Sequence, residues 1–228
     1  MELAALEKQI AYQFKDKKIL EEALTHRSYL NEHPDWNLPS NERLEFLGDA
    51  VLELIVTEEL YNRFPAFQEG KMTSVRAALV NYVMLADVAR SFGLETFLLM
   101  SRGELRDTGR AREVIVANAI EALIGAIYMD GGFSGAKKFI TKWVLGRLDE
   151  VFQKGLYMDA KSVLQEKAQA QRKVTPTYHL LGSSGPDHKR MFRIGVYFSD
   201  KLMAEGEGPS KQDAEVEAAK KALERIEK

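Results

Sequence analysis

Cysteine is absent from the 228 residues. That excludes a disulfide framework and any thiolate metal site, and it fits a reducing compartment, so a cytoplasmic protein is expected. Long hydrophobic runs are missing as well. The longest covers residues 114–127 and is broken by Asn118 and Glu121; it falls short of the ~18 residues of a membrane span and reads as a buried core helix, so no membrane partner is expected. The first eight residues are charged and helical in pattern, with no signal-peptide hydrophobic region. An excess of positive charge is lacking too. The formal net charge is −2, so any nucleic-acid site has to be a local patch.

The chain has room for one medium core and a small second domain. Charge balance and hydrophobic period both change near Gln153-Lys154-Gly155-Leu156. Up to residue 155 there are 19 basic against 23 acidic residues, and beyond it 13 against 11. We expect a first domain over residues 1–153, a linker over 154–158 and a second domain over 159–228.

Asn41-Glu42-Arg43-Leu44-Glu45-Phe46-Leu47-Gly48-Asp49 opens a stretch with the apolar content of a buried helix. At about 100° per residue, Glu42, Glu45 and Asp49 fall within about a 60° arc, so three carboxylates share one face. Like charges one turn apart repel, by more when desolvated, and something positive should compensate them. A hard divalent cation, Mg²⁺ or Mn²⁺, suits such oxygen ligands. The competing reading is a solvated acidic stripe. Apolar residues from Leu44 to Val56 cover too much of the circumference for a one-sided element, which favours a groove or an interface. Periodicity alone also enlists Glu53, so it does not choose among the acids. Ser40 or Asn41 is expected to cap this helix, and Phe64-Pro65 to end it.

In the second stretch, residues 114–127, an amide and a carboxylate at i, i+3 interrupt a helix that is apolar on every side. A buried Glu121 needs a partner. Setting Asn118 and Glu121 against Glu42, Glu45 and Asp49 lets one cation satisfy them all; the alternative is a structural hydrogen-bonded pair. Short helices are expected over residues 1–30, one or two over 72–92, and a last amphipathic helix over 132–152. His26, in Thr25-His26-Arg27-Ser28, is read as structural.

Beyond residue 158 the order is α-β-β-β-α. Asp159 caps a helix to about Gln171, and Tyr178 and Leu180 begin an alternation that is clear in Phe192, Ile194, Val196 and Phe198. Ser199-Asp200 is a turn, Leu202 and Ala204 continue a third strand, and Ser210 with Asp213 caps the last helix. Gln165, His188 and Lys211 provide three separated polar contacts. Lys211, in the first turn of a helix, opposes the helix dipole unless a phosphate sits there. A helix, a loop and a helix end meeting successive grooves would fit double-stranded RNA, read by shape.

The nine-residue motif from Asn41 to Asp49, followed at Glu121-Ala122-Leu123-Ile124-Gly125-Ala126, closely resembles the ribonuclease III family of bacterial type. Thr25-His26-Arg27-Ser28, Glu69-Gly70 and the C-terminal segment extend the resemblance over almost the whole chain. It implies an all-α endonuclease domain followed by an α-β-β-β-α double-stranded RNA-binding domain. The implied activity is divalent-metal-dependent hydrolysis of double-stranded RNA, leaving 5′-phosphate and 3′-hydroxyl ends with short 3′ overhangs, in rRNA and mRNA processing.

By the same resemblance Glu45, Asp49, Asn118 and Glu121 hold the metal, with Asp49 and Glu121 catalytic. Glu42 and Glu69 act near the scissile phosphate, Gln165, His188 and Lys211 bind RNA, and Phe46 inserts into the partner of a homodimer. Two positions depart from the family pattern. Asn118 stands where an aspartate is usual and contributes no charge, and Gln212 stands where a second lysine is common. The rival function is a non-cleaving double-stranded RNA-binding scaffold with a weakened metal site. Asn118 favours it; four retained acids at a stability cost argue against it.

Overall fold

The computed structural model describes residues 3–186 and 190–226. The chain forms two compact units, residues 1–157 and 158–228.

The first unit is helical. Its described helices are α1 (Leu3–Ile10), α2 (Lys17–Ala23), α3 (Arg27–Glu32), α4 (Glu42–Arg63), α5 (Glu69–Val80), α6 (Tyr82–Ser91), α7 (Arg102–Arg106), α8 (Arg110–Trp143) and α9 (Leu148–Gln153), with 3-10 turns at Leu94–Phe97 and Leu145–Arg147. By length and composition α8 could cross a membrane, but here it is the core helix. Ile115 to Ile127 is buried except at Asn118 and Glu121, and α4, α6 and α2 pack around it.

Helix α4 stops at Arg63, the residue two before Pro65, in keeping with the ban on helical backbone ahead of proline. Its start differs from expectation. Asn41 makes no side-chain cap; it is buried, and its amide donates to the Ala23 carbonyl at 3.3 Å. The Ser40 hydroxyl donates to the Glu42 carboxylate at 3.0 Å and leaves the backbone uncapped. The expected helix over 132–152 is a continuation of α8 past a break, then a 3-10 turn, then α9. Gly132 makes the break at φ 66°, a region that favours glycine.

In the second unit α10 (Ala160–Arg172) and α11 (Lys211–Ile226) flank the sheet strands β1 (Pro176–Ser184), β2 (Met191–Phe198) and β3 (Lys201–Gly208) in sequence. The sheet is antiparallel in the order β1-β2-β3. Asp159 caps α10 by accepting from the Lys161 and Ser162 amides. Ser210 accepts from the Asp213 amide at 3.1 Å and donates to its carboxylate at 2.6 Å, closing the start of α11.

Val196, Phe198, Met203 and Ala204 meet an alanine-rich face of α11, Ala218, Ala219 and Ala222, in the core. The small face lets the helix lie close: a Cβ at Gly206 would come within 2.2 Å of the Ala214 carbonyl oxygen. Leu180 and Leu202 are exposed, contrary to simple alternation. Register shifts between Leu180 and Gly182, and between Val196 and Tyr197, change which face the next residues occupy.

Candidate active site

Helices α4 and α8 cross at two glycines. A Cβ at Gly48 would sit 1.8 Å from the Glu121 carbonyl oxygen, and one at Gly125 would sit 2.2 Å from that of Leu44. No side chain larger than hydrogen fits at either position, so the two backbones touch. This contact brings Glu45 and Asp49, on either side of Gly48, alongside Asn118 and Glu121, which precede Gly125.

The result is a cleft of about 890 Å³ whose lining includes Glu42, Glu45, Asp49, Asn118 and Glu121. Its rim is held by backbone ties. The amide of His26 donates to the Leu99 carbonyl at 2.9 Å, the Leu99 amide to Leu24 at 2.8 Å, and the Asn41 amide to Thr25 at 2.9 Å. The imidazole of His26 lies within 2.8 Å of the Ser28 hydroxyl and caps α3, the structural role expected for it. Burial lowers its pKa.

Burial, with Asp49 and Glu45 nearby, pushes the Glu121 carboxyl up to about 8. Burial also raises Glu45, a shift opposed by a hydrogen bond from Asn118 and reinforced by the charges of Glu42 and Asp49. Glu42 is the one acid of this group with a described ion pair, to Arg27 at 3.5 Å. Glu45, Asp49 and Glu121 have none among the described residues. An all-oxygen donor set in which Glu45 and Glu121 are partly desolvated and repelled by neighbouring carboxylates fits a hard divalent ion. Among the described residues no three carboxylate, imidazole or thiol side chains converge closely enough to ligate one ion.

Glu69 is not brought into this cleft. It opens α5 and lines a separate groove with Thr57, Tyr61 and Arg76, where its carboxylate accepts from Thr73 at 3.0 Å. Phe46 lines the cleft's edge with 82% of its surface exposed. In the second unit Gln165 and Lys211 are exposed on α10 and at the first residue of α11; His188 lies outside the described residues. Sequence reasoning did not find Arg27, Glu104 and Arg110 in the cleft wall. Ala111 and Val114, on the same helical stripe as Asn118 and Glu121, were the available signal.

An acidic cleft between two helices, in a unit joined to a separate α-β-β-β-α module, defines a helical enzyme that carries its own binding domain. Residues 16–148 match the family described as Ribonuclease-III-like, and residues 160–226 match the double-stranded RNA binding motif. The chain is 44% identical to Ribonuclease 3 of Oleidesulfovibrio alaskensis over 218 residues, 96% of this chain and 95% of that one. It is also 44% identical to Ribonuclease 3 of a Sulfurovum species over 223 residues, 98% and 97% of the two chains. Among solved structures, the nuclease domain of ribonuclease III from Campylobacter jejuni, described for flexibility in its region involved in dimer formation, is 41% identical. It covers 64% of this chain and 97% of its own, with a TM-score of 0.58. The chain belongs to the ribonuclease III family, the double-stranded RNA-specific endoribonucleases.

Proposed function

We propose that this chain is a cytoplasmic, divalent-metal-dependent endoribonuclease that hydrolyses phosphodiester bonds in double-stranded RNA. It leaves 5′-phosphate and 3′-hydroxyl ends with short 3′ overhangs and serves rRNA and mRNA processing. The observation that carries this reading is that Glu45, Asp49, Asn118 and Glu121 line one cleft, the three acids having no ion-pair partner among the described residues. These four residues would hold Mg²⁺, or Mn²⁺ in its place. The ion supplies a lowered pKa for the attacking water and a counter-charge for the phosphate oxygens.

The chain's own part is to hold and orient. Gly48 and Gly125 set the distance between the two carboxylate-bearing helices. The Asn118 amide, beside Glu45, favours the charged form of that carboxylate. Glu42, one turn ahead of Glu45 on the same face, reaches the mouth of the cleft, where the scissile strand would enter. Gln165, His188 and Lys211 in the second unit bind the duplex.

A homodimer accounts for Phe46 and for the exposed face of α4 that continues from it through Leu54 and Tyr61. Exposed apolar surface that continues along one helix face marks an interaction site. Glu69, outside the cleft of its own chain, acts on RNA held between the two copies.

The test is incubation with a long labelled RNA duplex in Mg²⁺ and in EDTA, resolving products by size. Shortening to small duplexes in Mg²⁺ and none in EDTA is expected. Binding without cleavage at every Mg²⁺ and Mn²⁺ concentration would instead establish the scaffold reading that Asn118 favours.

A further inference from the structure

Five acids line the cleft: Glu42, Glu45, Asp49, Glu104 and Glu121. Only Arg27 and Arg110 are cationic among its lining residues apart from His26, which is engaged with Ser28. The two arginines differ in their partners. Arg27 contacts Glu42. Arg110 forms no ion pair with any described residue, although it stands in an acidic wall. Its neighbours are committed elsewhere: Arg112 to Glu95 at 2.7 Å, and Glu113 to Arg90 at 3.8 Å. The guanidinium of Arg110 lies over the ring of Tyr82, 5.3 Å from its centroid.

The contact with Tyr82 stabilises this placement modestly, and the helix end works against it. At the first residue of α8 a cation opposes the helix dipole. Contact with an aromatic ring uses none of the guanidinium's N–H donors in an ion pair, and their planar fork matches the oxygens of a phosphate. Arg110 lies eight residues before Asn118, roughly 12 Å along the helix. A strand whose cleaved phosphate sits among Glu45, Asp49 and Glu121 passes Arg110 within a few nucleotides.

We propose that Arg110, seated on Tyr82, is an RNA-contact residue of the nuclease unit that binds a backbone phosphate of the strand being cut. The inference rests on the nuclease reading above. It gives the predominantly acidic unit a fixed attachment point for a polyanion, so that a bound duplex is registered at the cleft as well as by the second unit.

The test uses the full chain and a 30-base-pair RNA duplex of defined sequence. Binding is compared between Glu121→Gln and Glu121→Gln/Arg110→Ala over a salt series, and steady-state cleavage between the unsubstituted protein and Arg110→Ala in Mg²⁺. Removing one phosphate contact should reduce the slope of log affinity against log salt by about 1. It should raise KM on the order of 5- to 10-fold while kcat changes less than about threefold, and Arg110→Lys, which keeps charge but not the planar fork, should fall between. An unchanged slope with an unchanged KM overturns the proposal while leaving the nuclease reading in place. An unchanged slope with only a shifted Mg²⁺ requirement overturns it too, because Arg110 would then act on the acids alone. Failure of the unsubstituted protein to bind or cut the duplex overturns the nuclease reading and this one with it.

Discussion

Glu121→Gln isolates the cost of crowding acids into the cleft. The Glu121 carboxyl is pushed up from 4.5 to about 8, chiefly by burial and then by Asp49 and Glu45. Between those two pH values the folded chain keeps a proton that the unfolded chain releases. Stability therefore falls as pH rises through this window and levels off above about 8. At about 1.4 kcal/mol per unit the full shift corresponds to about 5 kcal/mol, and partial access to solvent reduces this to on the order of 3 kcal/mol. Glutamine cannot ionise and escapes the penalty.

In EDTA, the melting temperature of Glu121→Gln should match that of the unsubstituted protein near pH 5, apart from a constant offset. It should then rise above it progressively, reaching roughly 6–12 °C by pH 8.5. Glu45, raised for similar reasons, contributes in the same direction to both proteins and largely cancels. The assay is thermal unfolding of the helical unit followed by circular dichroism at half-unit pH steps. A melting-temperature difference that does not grow between pH 5 and 8.5 would refute the reasoning, because the carboxylate would then carry no folding penalty. Mg²⁺ added at pH 8.5 should stabilise the unsubstituted protein more than the variant.

Other substitutions probe separate parts of the site. Asn118→Asp adds a carboxylate in place of the amide that favours the charged form of Glu45; the Mg²⁺ concentration for half-maximal cleavage should fall roughly 3- to 10-fold, from one added charge at close range, and an equal requirement in both proteins would contradict the role given to Asn118. Gly48→Ala places a methyl 1.8 Å from the Glu121 carbonyl oxygen; urea denaturation should show a loss of about 3 kcal/mol or more, with cleavage lost wherever the variant folds. Phe46→Ala removes an 82%-exposed ring and should leave the melting temperature nearly unchanged while shifting sedimentation toward the monomer; an unaltered dimer would remove Phe46 from the interface. Lys211→Ala should weaken duplex binding uniformly across sequences and lower the salt slope by about 1.

Much of this architecture is legible in local chemistry. Proline after Phe64, aspartate at position 159 and the Ser210-Asp213 pair act within a few residues of themselves, so their effects on α4, α10 and α11 follow from the sequence directly. The cleft was legible in part, because Glu45, Asp49, Asn118 and Glu121 are anomalies inside apolar helices. What escaped depends on distant partners. Asn41 reads as a cap, yet the Ala23 carbonyl takes its amide. Leu202 reads as inward-facing until a bulge beside it in its own strand, at Met203, changes its side. Arg110 and Glu104 lie among mixed charges and become part of the cleft only when α7 and α8 fold beside α4. Glu69 has the right chemistry, but its helix start faces another groove.

The contact of Gly48 and Gly125 has one further consequence. Main-chain atoms have no rotamers to exchange, so a seam made of them cannot loosen by repacking. The gauge of the cleft is thereby insulated from ordinary variation elsewhere in the helical core. Leucines and valines around α8 can trade volume over many generations while the two rows of carboxylates keep their separation. Catalytic geometry and core composition are free to evolve as independent characters, with two hydrogen atoms as the hinge between them.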